Sequence, residues 1–276
     1  MTRCPLILVV LALGACTAAT RVDQLASEGG LIRTPFRAGG YDTLIYMRHP
    51  DTTDARSLVI FLEGDGRLRS TSLDPFVATA PENPIALELA LRTPARVAYI
   101  VRPCHTPKRD PKCDLEQWRT GRYSSDIVAA LVESVREAAS RSGAMQIELV
   151  GYSGGGTLAV LVAERLDNVV AVVTVAANLD TDTWARDHDY PALSRSLNPA
   201  SSERSHPWPE LHLRGDGDQV VPRKTVRTYF EHRPGAREWS IEGVDHTCCW
   251  VERWPELWPQ IEADMRTEPA TSRSGR

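Results

Sequence analysis

The sequence predicts an α/β fold: a doubly wound, mostly parallel sheet with helices on both faces and a small cap insertion. Short, continuously apolar runs alternate with segments in which apolar residues recur at helical spacing. The run Ser57–Leu62 is apolar after its serine, which is typical of a strand buried on both faces of a sheet. A regular alternation of strands and helices favours a parallel sheet.

The elements follow one another in a regular order along the chain. Ser124 or Ser125 can cap the most clearly periodic helix, and Gly143 ends it. The last helix is expected to break near Pro255 and Pro259. The pattern predicts strands at 44–49, 57–62, 96–101, 146–150, 169–175, 211–214 and 238–241, and helices at 83–92, 125–141, 155–166, 223–231 and 247–265.

The first fifteen residues are typical of a removable leader. A short basic start precedes the apolar residues 5–14, a run that is too short to span a bilayer. This run ends in Leu13-Gly14-Ala15-Cys16, which resembles the bacterial lipobox, and the resemblance implies a lipid on Cys16. Thr17 after the cysteine implies, in that system, transport to the outer membrane on its periplasmic side. A plain signal peptide, with Cys16 incidental, is the alternative.

The boundaries that follow are a lipoprotein signal peptide at 1–15, a tether at 16–40, one domain at 41–265 and a disordered tail at 266–276. Within the domain, the irregular stretch 176–207 is expected to form a cap, and a surface loop packed on the sheet is the alternative. The net charge of −4 comes from scattered charges of both signs. Without a basic stripe, a nucleic-acid partner is not expected.

Four cysteines remain after the leader cysteine and Cys16 are set aside, an even set that suits an oxidising compartment. Cys104 and Cys113 lie close in sequence, so a disulfide between them closes a short loop at low entropic cost. A ring between the neighbours Cys248 and Cys249 is expected to be strained. A crossed pairing between the two pairs stays open. No C-x-x-C pair is present, so neither a metal site nor another cofactor is expected.

The pentapeptide Gly151-Tyr152-Ser153-Gly154-Gly155 carries the strongest chemical signal. It fits the pattern G-x-S-x-G, in which a serine stands at a sharp corner between a strand and a helix. Apolar residues on both sides supply that strand and that helix. A serine hydroxyl becomes a nucleophile when a neighbouring base accepts its proton. The pattern therefore predicts Ser153 as a nucleophile, and an ordinary tight turn is the alternative.

An acid and a base should follow the serine in that order. After the expected strand at 211–214, the turn that ends in Val221-Pro222 resembles the turn that carries the acid in the α/β-hydrolase superfamily. This resemblance implies Asp218 as the acid, and Asp216 is the rival. After the strand at 238–241, His246 lies where the base is expected, and it alone of the seven histidines combines the right order with the right place.

Attack by such a serine on a carbonyl group also requires N–H donors for the negative oxygen that forms. The turn Glu63-Gly64-Asp65-Gly66 follows a buried strand, and we expect the backbone N–H groups of Asp65 and Gly154 to form this pair. Glu63 stands where related hydrolases often carry histidine. Because of this departure, the residue that supplies the donor from this turn stays open.

These motifs together resemble the α/β-hydrolase superfamily over residues 44–265. Four segments are similar to those of a little-characterised group of bacterial hydrolase-like lipoproteins: Phe61-Leu62-Glu63-Gly64-Asp65-Gly66, Arg102-Pro103-Cys104, Gly151–Gly156 and Asp245–Trp250. The superfamily resemblance implies acyl transfer: Ser153 attacks a carbonyl, His246 moves the proton and Asp218 orients the histidine. The expected substrate is a small-molecule or lipid-like ester, thioester or related acyl compound. A catalytically silent binding module and a serine peptidase are the alternatives.

Overall fold

The structure is a computed structural model that describes residues 18–48, 56–66, 68–69, 77–78, 83–106, 110–202 and 206–266. Its centre is an eight-stranded sheet with the strand order β1-β2-β6-β3-β7-β8-β9-β10. The strands of this sheet are β1 (Ile32–Ala38), β2 (Tyr41–Arg48), β3 (Ser57–Leu62), β6 (Val97–Val101), β7 (Gln146–Tyr152), β8 (Val169–Val175), β9 (Glu210–Gly215) and β10 (Arg237–Ile241). A separate antiparallel pair is formed by β4 (Leu68–Arg69) and β5 (Val77–Ala78).

Six of the eight strands run parallel, from β6 through β10, while β1 and β2 join antiparallel at one edge. The predicted fold class, an α/β fold with a mostly parallel sheet, is confirmed. The helices are α1 (Ala18–Glu28), α2 (Ile85–Leu91), α3 (Ser125–Ser142), α4 (Gly154–Ala163), α5 (Thr181–Asp187), α6 (Arg227–His232) and α7 (Trp250–Arg266).

The two faces of the sheet bury two separate apolar clusters, because successive side chains of a strand point to opposite faces. In β3, Leu58, Ile60 and Leu62 pack on the side of α3 and α4, while Val59 and Phe61 pack on the side of α1, α2 and α7. Both faces are therefore covered, which is why β3, β6 and β8 are almost wholly apolar.

The prediction of a tether at 16–40 is wrong over most of its length. Residues 18–28 form α1, and residues 32–38 form β1, which pairs with β2 in full register. Val22 and Ala26 of α1 are buried in the core, and the Asp23 carboxylate accepts a hydrogen bond from the Tyr46 hydroxyl at 2.7 Å. The polar composition of this stretch hid two elements that each bury only one face.

The expected break in the last helix is also wrong, because α7 continues through Pro255 and Pro259. Trp250, Trp254 and Trp258 recur every fourth residue and are fully buried on one side of this helix. Burial of three indole rings outweighs the hydrogen bonds that the two prolines remove, since each large apolar side chain contributes roughly 2–3 kcal/mol.

The signal peptide and Cys16 lie outside the described residues, as does the tail beyond Arg266. Within the described part of the chain, no helix combines the length and apolar character that crossing a membrane requires.

Candidate active site

Ser153 stands at the corner between β7 and α4, at the carboxyl edge of the parallel strands. Its φ of 51° lies in the left-handed region, which a residue with a side chain rarely adopts. The Ser153 N–H donates to the carbonyl oxygen of Val175 in β8 at 2.8 Å, which fixes the corner against the neighbouring strand. The predicted nucleophile therefore lies at a sharp, strained strand-to-helix turn.

Close backbone approach explains two glycines of the pentapeptide. A side chain at Gly155 would overlap the carbonyl oxygens of Leu62 and Glu63, at the end of β3. A side chain at Gly154 would overlap the carboxylate of Asp65. The turn after β3 is therefore pressed directly against the corner that carries the serine.

Ser153, His246 and Asp218 form one hydrogen-bonded chain. The His246 Nε2 atom lies 3.0 Å from Ser153 Oγ, and its Nδ1 atom lies 2.9 Å from Asp218 Oδ2. Asp218 is buried, and its Oδ1 atom accepts the backbone N–H groups of Val220 and Val221, each at 2.8 Å. The structure thus brings together the three residues that the sequence predicts for the site, although they are far apart along the chain.

Two side chains hold the backbone of His246. Its carbonyl oxygen accepts the Tyr152 hydroxyl at 2.9 Å and the Trp250 indole N–H at 3.2 Å. Tyr152 precedes the serine and Trp250 begins α7, so the loop with the histidine is tied to both elements. This attachment limits how far the imidazole can move away from Ser153 Oγ.

The rival acid, Asp216, has a different task. Its side chain is exposed, and its Oδ1 atom accepts the backbone N–H of Gly243 at 2.9 Å. Gly243 lies at the start of the loop that carries His246. Asp216 therefore fixes the first residues of that loop, whereas Asp218 contacts the imidazole.

The two expected oxyanion donors lie beside the serine. A Cβ atom added to Gly64 would stand 3.3 Å from the Cβ atom of Ser153, which shows how closely the turn after β3 approaches the corner. Among the described residues, no acceptor is found for the backbone N–H of Asp65 or of Gly154. Both groups are thus free to donate to a substrate oxygen.

Asp65 is the centre of a charged cluster that sequence reasoning did not find. Its carboxylate accepts hydrogen bonds from Arg102 Nη1, from Arg122 Nη1 at 3.0 Å and from the Tyr123 hydroxyl at 2.6 Å. Burial by itself would raise the pKa of Asp65, but Arg102 and Arg122 outweigh burial and hold that pKa well below its usual range. Asp65 is therefore ionised, and two guanidinium groups more than balance its charge. The only sequence signal was Arg102, a charged residue directly after a buried strand.

Glu63 lies next to this cluster and is buried, and no arginine of the described residues forms an ion pair with its carboxylate. Its carboxylate accepts the backbone N–H groups of Gly64 and Ala86, each at 3.1 Å, and the Tyr99 hydroxyl at 3.3 Å. Burial raises the pKa of Glu63 to about 7, although the N–H donors oppose the shift. Glu63 joins the turn after β3 to the start of α2 and so helps to position the Asp65 N–H.

A cavity of about 1010 Å³ opens over Ser153 and His246. Trp184 of α5, Tyr190 and Leu193 supply apolar lining from the stretch that was expected to form a cap, and Tyr190 is half-exposed. The Trp184 indole N–H donates to the carbonyl oxygen of Val220 at 2.7 Å, which ties this stretch to the turn with Asp218. The stretch holds α5 and a short 3₁₀ helix, Pro199–Ser201.

The structure joins Cys104 to Cys113, the pairing favoured from the sequence, with their Cα atoms 5.5 Å apart. It also joins the neighbours Cys248 and Cys249, which the sequence argument disfavoured. The crossed pairing is absent. The first disulfide lies ahead of the loop that carries Arg119 and Arg122, and the second follows His246 by two residues.

Comparison with protein-family profiles and with curated proteins finds no match for this chain. Solved structures do match. A Pyrococcus furiosus esterase has a TM-score of 0.61 at 15% identity, with 87% of this chain and 93% of that chain covered. A serine hydrolase homologue from Coxiella burnetii has a TM-score of 0.58 at 15% identity, covering 85% and 97%. A membrane phospholipase A, described as a bacterial virulence factor, has a TM-score of 0.58 at 16% identity, covering 89% and 90%. The chain has the α/β-hydrolase fold.

Proposed function

We propose that this protein is a serine hydrolase that cleaves an ester, thioester or related acyl bond. The observation that carries the proposal is the hydrogen-bonded chain from Ser153 Oγ through His246 to the buried Asp218. A pure binding module has no need for a serine, a histidine and a carboxylate in this order. The free N–H groups of Asp65 and Gly154 beside the serine provide the second requirement for acyl transfer.

The chemistry follows from these positions. His246 Nε2 accepts the Ser153 proton while Oγ bonds to the acyl carbon, and the carbonyl oxygen becomes negative between the two N–H donors. When this intermediate collapses, the bond to the leaving alcohol or thiol breaks and that group takes the proton from His246. Water, deprotonated by His246, then attacks the acyl carbon. The bond to Ser153 Oγ breaks, Oγ takes the proton back from His246, and the acid is released. Asp218 holds the imidazole orientation and stabilises its positive charge throughout.

The apolar lining of the cavity favours a substrate with a hydrophobic part, and the name of one structural neighbour, a membrane phospholipase A, agrees with a lipid-like acyl compound. Trp184 and Tyr190 are the residues we assign to this apolar wall, with 176–207 acting as a cap. An acyl-chain-length panel of 4-nitrophenyl esters measures this preference.

A fluorophosphonate probe tests the proposed activity directly, because it bonds only to an activated serine. We expect purified protein to be labelled and Ser153→Ala to lose labelling and turnover by several orders of magnitude. Ser140→Ala, on the exposed face of α3, is the matched control and should label like the parent. Absence of labelling in folded parent protein would favour the binding-module alternative, and turnover of peptides but not of esters would favour a peptidase.

We further propose that the protein is anchored to the bacterial outer membrane, facing the periplasm, through a lipid on Cys16. The lipobox-like segment before Cys16 supports this location. Metabolic labelling with radioactive palmitate should mark the parent protein and leave Cys16→Ser unmarked. Label on Cys16→Ser, or none on the parent, would contradict the anchor without bearing on the hydrolase.

A further inference from the structure

The loop at 118–122, here called the arginine loop, contributes positively charged side chains to the cavity lining. It lies between the 3₁₀ helix Leu115–Gln117 and α3, and it contributes Trp118, Arg119 and Arg122 to the cavity lining. Ser153 and His246 line the same cavity. Any substrate that reaches Ser153 from this side therefore meets two guanidinium groups.

The arginine loop is held in one conformation by its own hydrogen bonds. Asp114 caps the 3₁₀ helix before it, with its side chain accepting the Glu116 N–H at 2.7 Å. The Gly121 N–H donates to the Glu116 carbonyl at 2.8 Å. Ser196 Oγ donates to the Thr120 carbonyl at 2.7 Å and accepts the Tyr123 N–H at 3.1 Å. A loop fixed in this way presents its side chains without a large ordering cost on binding.

The donors of the two arginines are only partly used. Arg122 Nε donates to the Arg119 carbonyl and Nη1 to Asp65, each at 3.0 Å, while Nη2 has no acceptor among the described residues. The exposed Arg119 guanidinium has no acceptor within the described part of the chain either. Both arginines thus have N–H donors free for an acceptor in the cavity.

Beside the arginine loop, the guanidinium groups of the described residues outnumber the carboxylates that contact them. Asp65 carries one negative charge but contacts two guanidinium groups, those of Arg102 and Arg122. Glu116 also lines the cavity, but its carboxylate accepts the Thr120 hydroxyl and lies 4.0 Å from Arg195. No carboxylate of the described residues balances Arg119. Planar guanidinium groups with free donors are well suited to carboxylate and phosphate groups.

We infer that the acyl substrate carries an anionic group, a carboxylate or a phosphate, which is bound by Arg119 together with Arg122 Nη2. This inference rests on the proposed hydrolase function and names the substrate class. The reaction at Ser153 stays the same, since the anion is bound without being changed. Arg122 couples the two processes, because the same guanidinium holds Asp65 beside the serine.

Two matched substrate pairs test this inference and separate the two anions. The first pair is the 4-nitrophenyl monoester of glutaric acid against the 4-nitrophenyl ester of glutaramic acid, which replaces the carboxylate by an amide of the same size. The second pair is hexanoylglycerol 3-phosphate against monohexanoylglycerol. We expect kcat/KM to be about 10- to 100-fold higher for the anionic member of at least one pair, since hydrogen bonds between charged groups are the strong ones.

Arg119→Gln should remove most of that preference, because the variant lacks the guanidinium that binds the anion, and the loss should appear in kcat/KM for the anionic member. The matched control is Arg227→Gln, an exposed arginine of α6 that pairs with Glu231 and does not line the cavity. It should keep the full preference. Arg122→Lys retains one charge but loses the planar fork, and it should lower the preference by an intermediate factor.

The outcomes distinguish this inference from the proposed function. If kcat/KM for the neutral member equals or exceeds that for the anionic member in both pairs, and Arg119→Gln does not change this ratio, the inference is overturned. The proposed hydrolase function would not be affected. A preference for the anion that persists unchanged in Arg119→Gln would also overturn it. If neither pair is turned over and no fluorophosphonate labels Ser153, it is the hydrolase function that fails.

Discussion

Two clusters of carboxylate, arginine and tyrosine lie at opposite edges of the same sheet, and they differ in charge balance and in access to solvent. At the carboxyl edge, Asp65 accepts hydrogen bonds from two arginines and Tyr123, beside an open cavity. At the amino edge, Glu210 Oε2 accepts the Tyr229 hydroxyl at 2.6 Å and Oε1 accepts Arg233 Nη1 at 3.1 Å. The chemical groups are the same in both places.

The amino-edge cluster is closed, and each of its two carboxylates contacts an arginine and a histidine. Arg233 also donates to Glu164 at 2.7 Å, so a single guanidinium serves two carboxylates, and all three side chains are buried. Burial would raise the pKa of Glu210, but the hydrogen bond and charge of His212, with Tyr229 and Arg233, lower it to about 2. Arg233 has both terminal nitrogens engaged, whereas Arg122 at the other edge keeps one free.

This contrast shows how similar groups acquire different roles. A cluster in which both terminal nitrogens of the arginine donate to buried carboxylates joins the ends of α4, β9 and α6 and contributes to stability. A cluster with an excess of guanidinium next to a cavity retains donors for an external anion. The predictions below change one edge at a time, so that activity and stability can be assigned to each edge separately.

The largest effect is expected at the carboxyl edge, from Asp218→Asn. An amide cannot hold the same imidazole tautomer or balance its charge, so kcat/KM should fall by about 10⁴-fold, as in other enzymes with such a chain. The free energy of unfolding should change far less than that loss. Asp216→Asn is the control and should stay within several-fold of the parent, because the Asn oxygen can still accept the Gly243 N–H. A greater loss in Asp216→Asn than in Asp218→Asn would contradict the assignment.

The next effect is expected at the amino edge, from Arg233→Met. Two buried carboxylates lose their shared cation, so the free energy of unfolding should fall by about 3–5 kcal/mol in urea titrations. Folded protein should still react with fluorophosphonate at the parent rate, since Arg233 is remote from Ser153. A folded variant that no longer labels would show that the two edges are coupled.

Arg102→Met changes the carboxyl-edge cluster and should affect both properties. Asp65 would keep only Arg122 as a cation, and its charge beside Gly154 would oppose the negative oxygen of the intermediate. We expect kcat/KM to fall by about 10- to 100-fold, mostly through kcat. The free energy of unfolding should fall by about 1–3 kcal/mol. If stability falls and the kcat of the folded protein does not, Arg102 has a purely structural role like that of Arg233.

The smallest effect concerns Glu63 and pH. Its pKa is about 7 in the folded protein against 4.5 for the free side chain, so folded protein retains this proton over a pH range in which unfolded chain loses it. The resulting stabilisation is present below pH 4.5 and is lost as the pH rises through 7. Between pH 5 and pH 8 the loss amounts to about 2 kcal/mol.

Glu63→Gln should remove this contribution, because glutamine does not titrate. The difference between the unfolding free energies measured at pH 5 and pH 8 should shrink in the variant by that amount. An identical pH dependence in parent and variant would mean that the Glu63 pKa does not differ between the folded and unfolded states.

Local patterns were sufficient to predict seven of the eight strands of the large sheet and the order of the three site residues. Fully buried strands such as β8 require continuous apolar runs, and a sharp strand-to-helix corner requires glycines next to Ser153, so both are visible in a short stretch of sequence. Asp218 and His246 were found because each follows a strand in a known order. The helix and strand within residues 18–38 were not predicted, because an element that buries one face at the edge of a domain has a weaker apolar pattern.

The arginine cluster could not be inferred from local pattern. Asp65, Arg102 and Arg122 lie on three different segments, and only the parallel alignment of β3 and β6 and the start of α3 bring them together. The choice between Asp218 and Asp216 also depended on which carboxylate the turn directs toward His246. Apolar periodicity and turn residues depend on neighbours along the chain. The sequence by itself therefore predicts the fold class and predicts Ser153 as the nucleophile. Pairing of charges depends on distances between segments, and those distances exist only once the sheet has formed.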